Sequence, residues 1–251
     1  MNFKTRSYKK ELMDDLNLAS EDLKKNLDEL EFINTTLGGY KVLTSALDTL
    51  YKENKIGNRT NSNQNNTENN QNIRFVTLAD IGSGGGDTLR QIAKWFEKKN
   101  IKAKLTGIDA NDFMINYAQN KSQKFPQINY EKLNVFDIDS KNENRYDWAT
   151  MSLFCHHFTD EELILIFKNI QKLTSKGFII NDLHRNPIAY YSIYFLTRLF
   201  NGSYLVKNDA PLSVLRAFKK QDLIDLLEKA NIKKYRINWQ WAFRFQVIVE
   251  K

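Results

Sequence analysis

Apolar and polar positions follow a regular alternation from Ile73 to the end of the chain. Short apolar runs are typical of buried parallel strands, because both faces of such strands are covered. Between the runs, apolar residues recur three and four positions apart, which predicts amphipathic helices. This order predicts an α/β fold with a doubly wound sheet and right-handed crossovers. The first five predicted strands are 75–79, 103–108, 128–135, 146–154 and 177–180.

The regions around these strands have other patterns. Residues 1–56 show helical spacing interrupted by Leu37-Gly38-Gly39, a typical helix stop, so we expect an N-terminal helical cap. Eight of the sixteen residues in 57–72 are asparagine, and none is large and apolar. Such a segment cannot offset its ordering entropy by burial, which predicts a flexible linker before a domain at 73–251.

Two features stand out in the last third of the chain. Residues 184–218 form a long, aromatic-rich segment that we predict to be a helical insertion beside the substrate. After a helix at 222–229, two stretches of alternating apolar residues, 235–239 and 241–249, predict a β-hairpin.

Composition limits the functions that the chain can have. Among its 251 residues is one cysteine, Cys155, which excludes a disulfide framework and a cysteine-rich metal module. The net charge is +7, but the lysines occur in scattered pairs, as on a solvated surface, which disfavours a nucleic-acid partner. No apolar stretch approaches the length of about 20 residues that a membrane helix needs, and no signal sequence is evident, so we expect a cytoplasmic protein.

A glycine-rich segment follows the first strand and precedes a helix. Residues 80–87 read Asp-Ile-Gly-Ser-Gly-Gly-Gly-Asp. A dinucleotide loop would place its third glycine at position 87, where Asp87 would repel a pyrophosphate. A P-loop is excluded because no Gly-Lys-Ser/Thr follows. The register fits Asp-x-Gly-x-Gly-x-Gly.

Polar residues also end the next three strands. Gly107-Ile108-Asp109-Ala110 follows the second strand, and a carboxylate there can accept hydrogen bonds from two ribose hydroxyls. Asn134-Val135-Phe136-Asp137 ends the third strand, and residues 152–158, Ser-Leu-Phe-Cys-His-His-Phe, end the fourth. Because the carboxyl ends of parallel strands meet at one edge, we expect a single crevice.

In this order, the four strand ends resemble those of class I methyltransferases that use S-adenosylmethionine (SAM). The resemblance implies a Rossmann-like seven-stranded sheet in the order 3-2-1-4-5-7-6, with the last strand antiparallel. It also implies SAM as cofactor and S-adenosylhomocysteine (SAH) as product. The residues that it assigns to the cofactor are Asp80, Gly82, Ser83, Gly84, Gly86, Asp109, Ala110, Met114, Val135, Phe136, Asp137 and Ser152.

More narrowly, the chain is similar to small-molecule methyltransferases of ubiquinone and menaquinone biosynthesis. Leu37-Gly38-Gly39, the segment 152–158 and the segment 181–185 (Asn-Asp-Leu-His-Arg) also resemble a bacterial subgroup associated with type III polyketide synthases. This resemblance implies a hydrophobic, phenolic or polyketide-like acceptor.

Candidate groups for the acceptor side lie after strands four and five. His156, His157 and His184 are candidate general bases, although each could also have a purely structural role. Cys155 is expected to be buried and inert. No acidic cluster is evident there, so no metal is expected. The candidate substrate-binding residues are Asp182, Arg185, Tyr190 and Tyr194, of which the first two could instead pair with each other and the tyrosines could instead belong to the core.

The sequence therefore predicts methyl transfer to a hydrophobic small molecule, with O-methylation favoured and C-methylation possible. An RNA or protein methyltransferase and a non-catalytic SAM-binding module are the alternatives. We expect a monomer or a homodimer.

Overall fold

A computed structural model describes residues 1–15, 21–57, 75–138, 142–200 and 202–251. Its seven strands form one sheet in the order β3-β2-β1-β4-β5-β7-β6. Strands β1 to β5 are parallel, whereas β7 is antiparallel to both β5 and β6. The predicted topology is confirmed. The strands are β1 (Val76–Ile81), β2 (Ala103–Asp109), β3 (Ile128–Lys132), β4 (Tyr146–Ser152), β5 (Thr174–Leu183), β6 (Tyr235–Gln240) and β7 (Arg244–Glu250).

Helices cover both faces of this sheet. Two short 3-10 turns, Val135–Asp137 and Cys155–His157, follow β3 and β4 at the carboxyl edge of the sheet. The α-helices are α1 (Glu21–Thr36), α2 (Gly39–Lys52), α3 (Asp87–Lys98), α4 (Asp112–Lys121), α5 (Asp160–Leu173), α6 (Pro187–Leu199), α7 (Tyr204–Arg216) and α8 (Lys220–Lys229).

The core is divided by the sheet into two apolar layers. Successive strand residues point to opposite faces, so neighbours along a strand contribute to different layers. In β4, for example, Trp148 packs with α2 and α3 in one layer, whereas Ala149 and Met151 pack with α5 and α8 in the other. Both faces of the central strands are therefore buried, as the unbroken apolar runs predicted.

Part of the predicted N-terminal cap belongs to this core. Leu43, Leu47 and Leu50 of α2 are fully buried against β1, α3 and β5. By contrast, α1 packs through Leu23 and Leu27 on α4. Residues 1–15, which we call the N-terminal strap, run along α7 and the carboxyl edge of the sheet, where Ser7 N donates to Leu215 O. The boundaries 1–56, 57–72 and 73–251 stay predictions, and nearly all of the predicted linker lies outside the described residues.

Several predicted element ends are corrected. The third strand stops at Lys132 rather than 135, because the Asn134 side chain accepts from Phe136 N and starts a turn. The fourth strand stops at Ser152, where Leu153 takes a left-handed φ of 52°. The predicted insertion at 184–218 consists of two helices, α6 and α7. Within the described residues, no helix is long and apolar enough to cross a membrane.

Candidate functional site

A crevice of about 400 Å³ opens at the carboxyl ends of β1, β2, β3 and β4. The glycine loop, the end of β2 and the turn after β3 form one side of it, and the segment after β4 and the N-terminal strap form the other. A smaller cavity of about 100 Å³ adjoins it and shares Met13, Gly82, Gly84 and Leu153 with it. All four polar strand ends identified in the sequence therefore meet at one place.

Two glycines let the loop after β1 approach the crevice. Gly82 has a φ of +67°, and a Cβ there would lie 2.0 Å from the Phe154 ring, so only glycine fits. Gly84 has a φ of +49° and lies in front of open space, since a Cβ there would meet no atom within 4 Å. The backbone at this point is therefore accessible to a ligand.

The other two residues predicted in this loop have different surroundings. Gly86 caps α3 rather than lining either cavity, and a Cβ there would lie 2.1 Å from the Tyr130 hydroxyl. Glycine is needed at position 86 because Tyr130 packs too closely for a side chain to fit. Ser83 is buried and lines the smaller cavity, where its Oγ has no hydrogen-bond partner. A buried hydroxyl without a partner is costly, so this atom is available to a bound group.

Asp109 lies at the end of β2 and closes one side of the crevice. Its two carboxylate oxygens accept from Gly84 N at 2.9 Å and from Asn111 N at 3.0 Å. Burial raises the pKa of this carboxyl, and the backbone hydrogen bonds oppose that rise. Each oxygen retains a lone pair, so the group can still accept from a diol. Ala110 and Met114 line the crevice beside it.

The end of β3 requires a correction. Val135 and Phe136 line the crevice as predicted, but Asp137 is exposed and does not. The polar side chain of this turn that lines the crevice is Asn134. The 3-10 turn explains the exchange, because it starts at Val135 and carries Asp137 to the outside.

Asp80 lies beneath the loop and faces the smaller cavity with Ser152. It is fully buried, and its Oδ1 accepts from Thr150 Oγ1 at 2.6 Å. Burial raises the pKa of Asp80 to about 7, and the charges of Asp87 and Asp109 act in the same direction. A cation in the smaller cavity would reverse this effect by stabilising the carboxylate.

Of the three candidate histidines, His157 lines the crevice. Its Nδ1 lies 2.5 Å from Asp14 Oδ1 of the strap. Burial disfavours the ionised form of Asp14, but the hydrogen bond and charge of His157 outweigh this and lower the pKa of Asp14 to about 2. An ionised Asp14 only accepts, so Nδ1 donates to it and Nε2 is the ring nitrogen left for another partner.

The other two histidines do not line the crevice. His156 is buried, and its Nδ1 lies 2.7 Å from Asp182 Oδ1. Burial disfavours ionisation of Asp182, yet the nearby His156 lowers its pKa. His184 stacks obliquely on Phe245, and its pKa is lowered by burial and by the adjacent Arg185. Both placements indicate structural roles.

The predicted pair between Asp182 and Arg185 is wrong. The buried guanidinium of Arg185 donates to the carbonyls of Phe3, Lys4 and Ala217, and its Nη1 lies 2.9 Å from Asp222 Oδ2. This arginine binds the strap to α8 and does not reach the crevice.

The burial predicted for Cys155 is confirmed, and burial raises the pKa of its thiol well above the usual value.

Tyr190 and Tyr194 lie on α6 and line a second cavity of about 480 Å³, outside the crevice. They stack on each other with ring centroids 6.2 Å apart. A substrate in the crevice would therefore meet Tyr8 and Met13 of the strap, Phe154 and Phe158 rather than these tyrosines. The sequence carries no local signal for the strap residues, because tertiary contacts alone bring them here.

Glu11, His156 and His157 form a cluster that the sequence did not reveal. Ligand-type atoms of the three residues lie within 4.8 Å of one another. However, the Arg216 guanidinium lies 3.5 Å from Glu11 Oε1, and Nδ1 of each histidine already contacts a carboxylate. Burial raises the pKa of Glu11 to about 7, so its carboxylate is only partly ionised near neutral pH. These features oppose a bound cation.

The donors and walls of the two cavities fit SAM. Asp109 can accept from the ribose hydroxyls, and Met114, Leu133 and Val135 provide apolar surface for a ring. Ser83 Oγ and the carboxylate of Asp80 face the smaller cavity, where a cationic amine would find an acceptor and a negative charge. The open backbone at Gly84 joins the two regions.

Comparisons with known proteins agree with this geometry. Residues 78–177 match the family model of the methyltransferase domain. The fold is similar to a SAM-dependent methyltransferase from Aquifex aeolicus, at 17% identity and a TM-score of 0.50, over 70% of this chain and 81% of that chain. It is also similar to magnesium protoporphyrin IX methyltransferase from Synechocystis PCC 6803 with bound SAH, at 15% identity and a TM-score of 0.54, over 87% and 86% of the two chains.

A third similar structure is the CMeT domain of the citrinin polyketide synthase, at 12% identity and a TM-score of 0.54. The match covers 70% of this chain and 46% of that one, so this chain spans about half of that length. At such low identities the likeness concerns the fold. A search of curated proteins finds no match.

The sheet order and the crevice define the class I methyltransferase fold. Residues 78–177 match the methyltransferase domain, and the chain around them has the fold of the SAM-dependent methyltransferases to which it is similar.

Proposed function

We propose that this protein transfers the methyl group of SAM to a hydroxyl of a hydrophobic, phenolic or polyketide-like small molecule. The observation that carries the proposal is the His157–Asp14 pair in a crevice whose lining also includes Tyr8, Met13, Phe154 and Phe158, with Lys10, Thr159 and Glu162 among its polar groups. An apolar wall favours an apolar acceptor, and a histidine with an available nitrogen suits an acceptor that must lose a proton.

The cofactor supplies a methyl group on a sulfonium, which is intrinsically electrophilic. The protein has to align the acceptor oxygen with the methyl group and exclude water. We propose that Phe154, Phe158 and Tyr8 hold the acceptor and that the strap excludes water. When bound, SAM would supply its methyl group to the acceptor oxygen and would leave as SAH. The hydroxyl proton passes to Nε2 of His157.

We assign the cofactor contacts in the same way. Asp109 accepts from the ribose hydroxyls, and Asn134 takes the cofactor-binding role first predicted for Asp137, facing the adenine. Asp80 balances the charge of the methionine amine, with Ser83 and Ser152 beside it. The apolar side chains of Met114, Val135 and Phe136 flank the adenine ring.

Replacing His157 should separate catalysis from cofactor binding. His157→Ala is expected to lower kcat about 100-fold or more, because a general base typically contributes about 10²–10⁴-fold. SAM affinity, measured by calorimetry, should change little. Asp14→Asn should lower kcat less and shift the pH profile, and Asp14→Glu should restore part of the activity. His184→Ala is the control. An unchanged kcat in His157→Ala would remove this histidine from the mechanism.

The buried Asp80 predicts a pH dependence of SAM binding. Its pKa of about 7 means that it is largely protonated at mildly acidic pH, where it cannot balance a cationic amine. SAM affinity should therefore fall by up to about tenfold per pH unit below that pKa. Calorimetric titrations across this range should show the fall in the wild type and a flatter profile in Asp80→Asn. The same slope in both proteins would contradict the role of Asp80.

The acceptor class can be tested with labelled SAM and a library of phenols and polyketide-like compounds, read out by product mass. Nuclear magnetic resonance then distinguishes an O-methyl from a C-methyl product. Transfer to RNA or protein with no small-molecule product would contradict the proposal. SAM binding without any product would point instead to a non-catalytic module.

A further inference from the structure

The outward face of α6 carries an unusual stripe of exposed apolar side chains. Ile188, Tyr191, Phe195 and Leu199 follow one another at spacings of three and four residues, and they are 65%, 50%, 65% and 80% exposed. Single exposed apolar residues are common, but a continuous stripe marks an interaction surface. Phe200 and Tyr204, just beyond the helix, are also exposed.

The tip of the β6–β7 hairpin extends this surface. Trp239 and Trp241 are 52% and 74% exposed. Phe243, in the same turn, contacts Trp239 and also packs in one cluster with Ala189 and Ile193 of α6. The hairpin tip therefore lies beside α6. We call the exposed side chains of α6 and of this tip the α6–hairpin surface.

Basic side chains lie beside this surface, although one carboxylate, that of Glu29, accepts from Ser203 near Tyr204. The second cavity, between α6, α7 and the strap, is lined by Lys9, Arg198 and Lys207 together with three tyrosines, and none of the described residues that line it has a carboxylate. The sequence of α6 contains no acidic residue. Arg198 lies over the ring of Tyr194, 3.4 Å from its centroid.

We propose that the α6–hairpin surface docks on an anionic lipid bilayer. A helix of thirteen residues is too short to span a bilayer, but an apolar face flanked by basic side chains suits a position in the plane of the membrane interface. Tryptophan and tyrosine favour the depth of the headgroups, and lysine and arginine are attracted by anionic lipids. A second copy of this chain is a poorer occupant, because an isologous contact would bury the same basic patch on both sides, and α6 offers it no acidic partner.

The strap connects this surface to the catalytic crevice. Ser7 and Lys9 line the second cavity, whereas Tyr8 and Lys10 line the crevice, as expected of an extended segment with alternating side chains. Docking would thus place the strap between the lipid and the crevice. That an apolar acceptor arrives from the lipid rests on the proposed function, whereas docking itself does not.

Vesicle flotation tests the proposal without requiring any acceptor. The full-length protein is mixed with vesicles of phosphatidylcholine alone or of phosphatidylcholine with phosphatidylglycerol. Wild-type protein should float with the anionic vesicles, and the fluorescence of Trp239 and Trp241 should shift to the blue. The double variant Phe195→Ser with Leu199→Ser should bind about tenfold less. Arg198→Gln should bind about fivefold less.

A matched double variant provides the control. Phe75→Ser with Leu165→Ser also removes two exposed apolar side chains, at 40% and 47% exposure, outside the α6–hairpin surface, and should bind like wild type. Circular dichroism and SAM affinity should be unchanged in all variants. Failure of wild type to bind anionic vesicles, or equal loss in the control, would overturn the proposal. Binding that salt abolishes and that survives loss of the α6 side chains would also overturn it, because the attraction would then be electrostatic and independent of this surface.

Discussion

Asp109→Ala is expected to lower the affinity for SAM by about two orders of magnitude or more, since each hydrogen bond to a charged group contributes roughly 1.5–3 kcal/mol. The variant removes the proposed acceptor for the ribose hydroxyls. It also frees Gly84 N and Asn111 N, whose hydrogen bonds to this carboxylate shape the loop around the cofactor. Calorimetry with SAM and with SAH measures the loss.

Asp112→Ala is the matched control for this variant. Asp112 is three residues further along the chain, is exposed and forms an ion pair with Lys132 at the surface. Its removal should leave SAM affinity within about twofold, because exposed ion pairs contribute little. Similar SAM affinities for Asp109→Ala and Asp112→Ala would show that Asp109 does not hold the cofactor.

Arg216→Ala is expected to have the largest effect on stability. The buried guanidinium donates to the carbonyls of His156, His157 and Lys9 and pairs with Asp14 at 2.7 Å. Truncation would leave these buried carbonyls without this donor and would remove the ion pair of Asp14, which keeps its contact with His157. Breaking a buried, hydrogen-bonded pair costs roughly 3–5 kcal/mol of unfolding free energy.

Urea unfolding monitored by circular dichroism measures this cost. Arg236→Ala is the control, because Arg236 pairs with Glu53 at the surface and its loss should cost no more than about 1 kcal/mol. If Arg216→Ala retains a fold, activity should fall with it, since the same guanidinium holds the strap against His157. Wild-type stability in Arg216→Ala would mean that the strap is not held by this residue.

Local chemistry was sufficient to predict much of the site. The left-handed φ values of Gly82 and Gly84 and the carboxylate of Asp109 are properties of short segments that end strands, and strand ends meet wherever a parallel sheet forms. The apolar runs likewise predicted the central strands, because a strand buried on both faces needs apolar residues at nearly every position.

The acceptor side was predicted less well. His156, His157 and His184 look equivalent in the sequence, yet His157 alone among them lines the crevice. Its partner Asp14 is 143 residues away in the chain, so no local pattern links the two. Asp137 was placed wrongly for a smaller reason, because a single 3-10 turn decides which side chain faces inward.

The sequence by itself thus determined the sheet and the meeting of the four strand ends at one crevice, since both depend on periodicity and on residues close together in the chain. The tertiary structure alone decided which histidine meets the crevice, where Arg185 finds its partners, and that Tyr190 and Tyr194 line a different cavity. Those outcomes depend on long-range contacts of the strap, α6 and α7. Each of these side chains could form the same kind of contact with several residues. Only the tertiary packing decides which of those residues is close enough.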